Sequence, residues 1–273
     1  MIGHPVAHSR SPAMQNAALR ELGLADEWSY DAIEIPPADF EPLTRALPGE
    51  GFVGANVTIP HKQAALALAD SASAAATEIG AANTLSFAGG EIRAENTDAP
   101  GLLAALGKHP SGKRSLVLGA GGSARAAAWA LAGQGAMVEV WNRTGDRADE
   151  LIRDLGRTFA ASGEMPDMTA VSSAQARAAG YELIVNCTAV GLDPGDDPLD
   201  VLPLRSAQLG KGVTVVDLVY GGEPTRLARI ADEAGASLVD GVEVLVRQGA
   251  ASLRIWTGED APLAAMRKAA RRG

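Results

Sequence analysis

The chain has 273 residues, of which 47% are hydrophobic and 21% are charged, a balance typical of a folded globular protein. Its formal net charge of -9 argues against nucleic acid or an anionic membrane surface as its main partner. Its single cysteine, Cys187, excludes an intramolecular disulfide and gives no cysteine metal cluster. The single cysteine leads us to expect no metal site. No segment has transmembrane length or the pattern of a signal peptide, so we expect a cytoplasmic protein with no membrane partner.

The first elements along the chain alternate between predicted helices and predicted strands. Residues 13–24 have helical spacing, with Ser11 interpreted as the N-terminal cap and Pro12 in the first turn. Capping does not explain Ser9, so the two serines could instead face a ligand carboxylate, although the residues alone favour capping. The next segments predict strands at 28–35 and 52–59 and helices at 39–47 and 63–70.

Lys62 lies where the second predicted strand gives way to the helix that follows it. Asn56 and Thr58 alternate along that strand, so their side chains share a face that leads toward the lysine. A lysine in such a turn is most often a solvated surface charge. The shared polar face makes Lys62 a candidate site residue beside that alternative.

Two polar patches, residues 80–85 and 95–98, flank a Gly89-Gly90 turn and predict a small hairpin. The Asn-Thr pair in each patch is a common source of local turn bonds. Asp98, at the end of the second patch, could cap a helix over residues 100–106 or take part in catalysis. Spacing alone leaves both roles open.

A glycine cluster follows an apolar run that starts at Ser115, and an alanine-rich helical pattern follows the cluster. Gly119, Gly121 and Ala124 fit the pattern G-x-G-x-x-G/A. The first glycine permits a sharp turn, the second lets the backbone approach a pyrophosphate, and the third position packs helix on strand. The helix start offers N–H groups and a positive dipole end to phosphate. The loop predicts a dinucleotide site, with a ligand-free core turn as the alternative.

The second strand of this unit, residues 137–143, decides which dinucleotide is favoured. An acidic residue at its end would hold the ribose of NAD, but the sequence there is Asn142-Arg143-Thr144. A guanidinium suits a 2′-phosphate and a carboxylate would repel one, so the residues favour NADP. A surface arginine without a ligand is the alternative, and Asp146 lies close by.

The remaining chain predicts further α/β structure. The segments are a helix at 146–155, strands at 182–186, 213–218 and 237–240, and helices at 225–234 and 242–256. Residues 156–170 give no readable pattern. Four basic residues close to the C-terminus suit the negative end of a last helix, namely Arg267, Lys268, Arg271 and Arg272.

Several short motifs, in order, resemble the shikimate dehydrogenase family over essentially the entire chain. They are HSRSP at His8, GANVTIPHK at Gly54, GAANT at Gly80, ENTD at Glu95, GAGGSAR at Gly119, NRT at Asn142, NCTAVGL at Asn186, DLVY at Asp217 and RQGAASLRIWTG at Arg247. The chain departs from the family pattern at two places. GGEPT follows Tyr220 where the family often has an asparagine and a proline, and Gly249 stands where alanine is usual.

The resemblance implies an α/β fold with two domains and the active site in the cleft between them. Residues 1–100 and 241–273 would form an N-terminal α/β domain that binds substrate and is completed by the C-terminal helices. Residues 101–240 would form an inserted Rossmann-type NADP-binding domain. The implied reaction is reversible hydride transfer between NADPH and 3-dehydroshikimate, giving shikimate on the pathway to aromatic amino acids. Monomer and homodimer stay open.

The resemblance also implies roles for individual residues. Lys62 would carry the proton in catalysis, with Asp98 beside it, and as an ammonium it would donate to the developing alkoxide during reduction. Substrate would be bound at Ser9, Ser11, Asn56, Thr58, Asn83, Tyr220 and Gln248, the two serines and Tyr220 meeting its carboxylate. NADP would be bound at Gly119, Ala120, Gly121, Gly122, Ser123, Ala124, Asn142, Arg143, Thr144, Arg147, Thr188, Leu218 and Gly241.

Two alternative functions stay open at this point. A quinate or aminoshikimate dehydrogenase would share the fold and could use NAD. A non-catalytic sensor would bind a shikimate-like ligand without turning it over. The presence of both Lys62 and Asp98 weighs against a sensor, because a protein that only binds needs no proton relay.

Overall fold

The computed structural model describes residues 1–193 and 195–272. The chain forms two compact units, the first from Met1–Gly101 and Leu245–Gly273 and the second from Leu102–Val244. It passes from one unit to the other inside two helices, α5 (Asp98–Leu106) and α11 (Gly241–Thr257). The domain boundaries predicted at residues 101 and 241 fall within these helices.

Within residues 1–101 and 245–272, the first unit contains a two-stranded parallel sheet and a four-stranded sheet of order β3-β5-β6-β4. The strands are β1 (Ile2–Gly3), β2 (Ile33–Glu34), β3 (Gly54–Asn56), β4 (Ser71–Ala72), β5 (Thr84–Ala88) and β6 (Glu91–Glu95). The helices are α1 (Ser11–Glu21), α2 (Phe40–Ala46), α3 (Lys62–Leu68), α4 (Ala74–Ile79) and α12 (Leu263–Ala270), with the adjoining parts of α5 and α11. Strands β5 and β6 are antiparallel, which confirms the predicted hairpin.

The second unit has one sheet, in which six strands lie parallel in the order β12-β11-β10-β7-β8-β9 within residues 102–193 and 195–244. The strands are β7 (Arg114–Leu118), β8 (Met137–Trp141), β9 (Met168–Ala170), β10 (Leu183–Asn186), β11 (Thr214–Asp217) and β12 (Ser237–Asp240). The helices are α6 (Gly122–Gly133), α7 (Gly145–Ala161), α8 (Ser173–Ala178), α9 (Pro198–Val201) and α10 (Arg226–Glu233). Every residue of β10 and β11 is buried, as expected of central parallel strands covered on both faces.

The strand order of the second unit fixes where a ligand can bind. From β7 the chain adds β8 and β9 on one side and β10, β11 and β12 on the other, so the order reverses between β7 and β10. In open α/β sheets, ligands bind outside the carboxyl ends of the strands at such a reversal. The glycine loop directly follows β7 and therefore lies at this point.

The strand predicted at residues 28–35 is wrong over most of its length, since only Ile33–Glu34 pairs, with β1. The side-chain amide of Asn16 takes the place of a partner strand at Tyr30. It donates to the Tyr30 carbonyl at 2.8 Å and accepts from the Tyr30 N–H at 2.9 Å. Because these bonds satisfy the backbone groups, the segment needs no ladder at this residue.

The strand predicted at residues 52–59 is shorter than expected. The Phe52 N–H is bonded to the Leu47 carbonyl at 3.2 Å, at the end of a 3₁₀ turn, so the strand cannot begin there. The Thr58 N–H donates to the Ile2 carbonyl at 3.0 Å, so the chain has already turned toward β1. Only Gly54–Asn56 pairs with β5.

Several short elements had no readable sequence pattern, notably β4, α4, α8 and β9. β9 lies at the edge of its sheet inside the unreadable segment 156–170, and three residues are too few to display an alternation. The four basic residues close to the C-terminus were the only signal for α12. Two of them, Arg267 and Lys268, lie in its last turn. Among the described residues, no helix is long and apolar enough to span a bilayer.

Candidate active site

Asp98 lies at the base of the β5–β6 hairpin, where both of its carboxylate oxygens are bonded. Asn83 directly precedes β5, and the antiparallel register that pairs Thr84 with Glu95 brings it close to the residues that follow β6. The Asn83 amide nitrogen donates to Asp98 Oδ1 at 2.8 Å. Lys62 Nζ, in the first residue of α3, donates to Asp98 Oδ2 at 2.5 Å. The hairpin thus joins three of the predicted site residues.

The Lys62–Asp98 ion pair is mostly withdrawn from water, with side-chain exposures of 11% and 17%. Low exposure strengthens the attraction between the two charges, because less water screens them. The remaining exposure leaves a small part of each group accessible to a ligand. This geometry contradicts the interpretation of Lys62 as a solvated surface charge.

The helix-capping alternative for Asp98 is wrong. α5 begins at Asp98, and the side-chain oxygen of Asn96 accepts from the Ala99 N–H at 3.2 Å. Asn96 therefore provides the capping bond, and the oxygens of Asp98 bond to Lys62 and Asn83 instead.

Gln248 reaches the same cluster from α11. Its Oε1 accepts from the Asn83 amide at 3.1 Å, and its Nε2 donates to the Leu245 carbonyl at 2.8 Å. Gly101 lets α5 approach α11 closely, because a Cβ there would lie 2.7 Å from the Gln248 Cβ. The bond to Leu245 uses one of the two Nε2 hydrogens, which leaves the other to meet a ligand.

Asn56, at the end of β3, is bonded inside the protein. Its Oδ1 accepts from the Tyr30 hydroxyl at 2.7 Å, and its Nδ2 donates to the Asn83 carbonyl at 3.1 Å and to Ser252 Oγ at 2.8 Å. Thr58 lies two residues further along and is half-buried. Asn56 is therefore buried and bonded within the protein, whereas the strand pattern predicted only that it shares a polar face with Thr58.

The interpretation of Ser11 as a helix cap is also wrong. Ser11 is the first residue of α1, and Arg10 occupies the cap position without a side-chain capping bond. Instead, Ser9 Oγ accepts from the Ser11 N–H at 3.2 Å. The Arg10 guanidinium donates to the Ala270 carbonyl at 3.0 Å and so fastens this segment to the end of α12.

The Gly249 departure from the family pattern lies at a close contact between α11 and α1. A Cβ at this position would overlap the side chain of Met14 and lie 3.2 Å from Gln15 Nε2. Gln15 Nε2 donates to the Gly249 carbonyl at 2.9 Å. α1, which starts at Ser11, therefore packs closely against the turn of α11 that carries Gln248, and an alanine at position 249 would require the end of the Met14 side chain to shift.

In the second unit, the glycine loop has the open backbone that a phosphate requires. Gly119 has a φ of 109°, and a Cβ there would lie 3.3 Å from the Cys187 carbonyl oxygen. Gly121 occupies the cap position of α6, and a Cβ there would meet nothing within 4 Å. Ala124, the third residue of α6, is fully buried. These features fit a dinucleotide whose pyrophosphate lies against the start of α6.

The turn after β8 presents basic side chains to solvent. Arg143 and Arg147 are exposed, as is Asp146 between them. The Asn142 side-chain amide donates to the Thr144 carbonyl at 2.9 Å and orders the turn. No acidic residue stands between the end of β8 and Thr144, the cap residue of α7. The turn therefore fits an additional phosphate group on the dinucleotide.

A buried hydrogen-bond network ties together the loops that follow β10 and β11. The Asn186 amide donates to Asp217 Oδ1 at 2.9 Å, and the Thr188 hydroxyl donates to Asn186 Oδ1 at 2.7 Å. The Thr225 hydroxyl donates to Asp217 Oδ2 at 2.5 Å. Burial raises the pKa of the Asp217 carboxyl, and bonds from Thr225, Asn186 and the Val219 N–H offset part of that rise. The last residue of the divergent GGEPT segment, Thr225, is thus bonded to Asp217.

The last predicted cofactor residues, Leu218 and Gly241, lie against each other. A Cβ at Gly241 would lie 2.7 Å from the Leu218 carbonyl oxygen, so only glycine lets α11 begin this close to the end of β11.

The three residues predicted to meet the substrate carboxylate belong to different units. Tyr220 is half-buried in the second unit, three residues past β11, whereas Ser9 and Ser11 belong to the first unit.

Residues 1–85 match the family model described as the shikimate dehydrogenase substrate binding domain, and residues 241–271 match the shikimate 5'-dehydrogenase C-terminal domain. A relative from Anaeromyxobacter dehalogenans, named shikimate dehydrogenase (NADP(+)), is 45% identical over 98% of this chain and 94% of its own. The chain belongs to the shikimate dehydrogenase family. The family and the α/β fold predicted from the motifs are therefore confirmed.

Solved structures extend the likeness to the shikimate dehydrogenase fold as a whole. Shikimate 5-dehydrogenase from Thermus thermophilus, in complex with NADP(H) and shikimate, has a TM-score of 0.85 and 41% identity, covering 99% of this chain and 97% of that chain. A 5-ketofructose reductase from a Gluconobacter strain has a TM-score of 0.82 at 27% identity, covering 99% and 96%. Because a reductase named for another substrate shares the fold, the substrate must be argued from the site.

Three buried hydroxyls of this shikimate dehydrogenase family site were not predicted from the sequence, those of Thr84, Thr97 and Ser252. Each threonine directly follows an asparagine, and an Asn-Thr pair by itself predicts only local turn bonds. Ser252 lies four residues after Gln248, so helical spacing placed the two on one face of α11. That spacing was the available signal.

Proposed function

We propose that this chain is an NADP-dependent oxidoreductase that interconverts 3-dehydroshikimate and shikimate, a step toward the aromatic amino acids. The observation that carries the proposal is the low-exposure Lys62–Asp98 pair, bonded at 2.5 Å. Lys62 lies within the region that matches the family's substrate binding domain. Relatives with this name, and a relative solved with shikimate and NADP(H), support the choice of substrate and cofactor.

We assign the proton to Lys62 and the hydride to the cofactor, which supplies it when bound. As an ammonium, Lys62 Nζ donates a proton to the substrate oxygen as the carbonyl becomes a hydroxyl. In the oxidative direction, the amine accepts the proton from the same oxygen. Asp98 Oδ2, bonded to Nζ, holds the ammonium in place and balances its charge.

Substrate recognition is proposed to come from polar groups of the first unit. Asn83 and Gln248 lie beside the ion pair and meet ring hydroxyls together with Asp98, and Asn56 and Thr58 complete this set. Such a site discriminates strongly, because a substrate lacking a hydroxyl would leave buried polar groups unpaired. Ser9 and Ser11 are proposed to bind the carboxylate with help from Tyr220.

The second unit is proposed to hold NADP. The open loop from Gly119 to Ala124 would take the pyrophosphate, and Arg143 would take the 2′-phosphate with Asn142, Thr144 and Arg147. Thr188, Leu218 and Gly241 follow the carboxyl ends of β10, β11 and β12, on the far side of the sheet reversal from the 2′-phosphate turn. We assign these three residues to the remainder of the cofactor.

We expect Ser9→Ala and Ser11→Ala each to raise the KM for shikimate about tenfold, the scale of one lost hydrogen bond to a charged group. The KM for NADP should not change, because the proposed cofactor residues belong to the second unit. Ser29→Ala, an exposed serine of the same unit, is the control and should behave as the wild type. Unfolding temperatures are measured alongside, because the Ser9 hydroxyl also bonds the Ser11 N–H. Loss of stability without a change in the shikimate KM would restrict both serines to a structural role.

The test of the proposed function is a panel of steady-state rates with shikimate, quinate and aminoshikimate, each with NADP and with NAD. We expect kcat/KM to be highest for shikimate with NADP. A preference for quinate or aminoshikimate would assign the chain to another substrate on the same fold. Binding of shikimate without turnover would identify a sensor.

A further inference from the structure

We propose that Ser252 is a positioning residue for the substrate site, an inference that rests on the proposed function. Its side chain is fully buried on α11, one turn after Gln248. Its Oγ lies 2.8 Å from Asn56 Nδ2, 2.8 Å from the Thr84 hydroxyl and 3.0 Å from the Thr97 hydroxyl. It also lies 3.1 Å from the Gln248 carbonyl, to which it donates. One hydroxyl thus contacts four groups around the site.

Counting hydrogens and lone pairs gives these contacts a direction. A serine hydroxyl has one hydrogen and two lone pairs. The hydrogen is used on the Gln248 carbonyl, so Asn56 Nδ2 and the Thr84 and Thr97 hydroxyls share the two lone pairs as their acceptor. The Thr97 oxygen also accepts from the Asn83 amide nitrogen, 2.9 Å away. Thr97 and Thr84 therefore each link Ser252 to Asn83.

The orientation of the Asn83 amide decides what Asp98 contacts. Asn83 Oδ1 accepts from the Thr97 N–H at 2.7 Å and lies 3.2 Å from the Thr84 hydroxyl. The Asn83 amide nitrogen consequently faces Asp98 Oδ1 and Gln248 Oε1. A flipped amide would direct an oxygen at both of those acceptors. The hydroxyl network thus keeps the donor side of Asn83 toward the carboxylate that holds Lys62.

Replacing Ser252 with alanine removes a buried acceptor that Asn56 Nδ2 shares with the Thr84 and Thr97 hydroxyls. The Thr84 and Thr97 hydroxyls then share Asn83 Oδ1, 3.2 Å from each and already bonded to the Thr97 N–H, so the hydrogen bonds around Asn83 rearrange. A buried polar group left without its partner is costly. Alanine is a strong helix former, so α11 itself should tolerate the change. The effect should therefore appear in the substrate site.

The experiment compares Ser252→Ala with Ser86→Ala, a matched change on β5 in the same unit. Ser86 Oγ is buried and has no hydrogen-bond partner in the described part of the chain. We expect Ser252→Ala to raise the KM and the dissociation constant for shikimate about tenfold, equivalent to about 1.4 kcal/mol. The KM for NADP should stay at the wild-type value, and Ser86→Ala should change neither constant. Calorimetry supplies the dissociation constant independently of turnover.

A Ser252→Ala variant with the wild-type shikimate constants would overturn the inference. So would a lowered unfolding temperature and kcat with both KM values unchanged, because a purely structural role predicts that result. If Ser252→Ala does not fold, Thr84→Val and Thr84→Ser test the inference instead. Valine removes a hydroxyl of the network and serine keeps it, so only Thr84→Val should weaken shikimate binding. A wild type that binds shikimate without turnover contradicts the proposed catalytic function alone, and the binding constants still test Ser252. A wild type that neither binds nor oxidises shikimate overturns both.

Discussion

Replacing Lys62 with alanine should lower kcat by about a hundredfold or more while shikimate binding stays largely intact, the usual scale for loss of a general acid or base. The physical reason is that Nζ, bonded to Asp98 at 2.5 Å, is the group proposed to exchange the proton. Asp98 keeps its bond from Asn83 in the variant, so the hairpin base retains a connection. The measurement is steady-state kinetics in both reaction directions, with a shikimate dissociation constant from calorimetry.

Two further variants accompany Lys62→Ala: one separates proton transfer from charge, and the other is a control. Lys62→Arg keeps a cation opposite Asp98, but a guanidinium does not give up its proton in proteins, so turnover should stay low. Lys268→Ala removes an exposed lysine of α12 in the same unit and should behave as the wild type. Near-normal turnover in Lys62→Ala would exclude the lysine as the proton carrier. Recovery of turnover in Lys62→Arg would assign it an electrostatic role instead.

Replacing Arg143 with alanine should raise the KM for NADPH about tenfold or more, since charge-assisted hydrogen bonds are worth about 1.5–3 kcal/mol and about 1.4 kcal/mol is a factor of ten. The guanidinium can form paired hydrogen bonds with a 2′-phosphate. NADH has no 2′-phosphate, so its KM should barely change. Both cofactors are compared in the same variant, because general damage would weaken both.

Arg153 provides the matched control for Arg143. It is an exposed arginine on α7, the helix that begins just after Arg143, and it lies outside the proposed cofactor residues. Arg153→Ala should leave the KM values for NADPH and NADH unchanged. This control shows whether removing one exposed positive charge of the second unit is enough to change either KM. An equal rise for NADPH and NADH in Arg143→Ala would indicate that Arg143 supports structure.

The parts of the fold that could be predicted were those specified by neighbouring residues. The Gly89-Gly90 turn and the polar patches on either side of it predicted the hairpin, and the hairpin register brings Asn83 close to Asp98. The glycine loop after β7 was predicted for the same reason, because a strand, a turn and a helix follow one another within a few residues. Local sequence is sufficient wherever the contacts are local.

The parts that could not be predicted depend on partners far apart in the sequence. Asn16 replaces a strand partner at Tyr30, and no pattern within residues 28–35 announces an amide from α1. Ser252 lies 168 residues after Thr84, to which it bonds. The capping errors at Ser11 and Asp98 have a related cause, because a neighbouring residue, Ser9 or Asn96, accepts the backbone hydrogen in each case.

The oxidation of NADPH by 3-dehydroshikimate, measured with the wild-type chain and repeated with NADH, tests the central claim most directly. This single measurement requires both the proposed proton donor of the first unit and the proposed cofactor loop of the second. We predict oxidation that depends on 3-dehydroshikimate and proceeds with a higher kcat/KM for NADPH than for NADH. No oxidation of either cofactor upon addition of 3-dehydroshikimate would contradict the proposed function, and a preference for NADH would contradict the assignment of Arg143 to a 2′-phosphate.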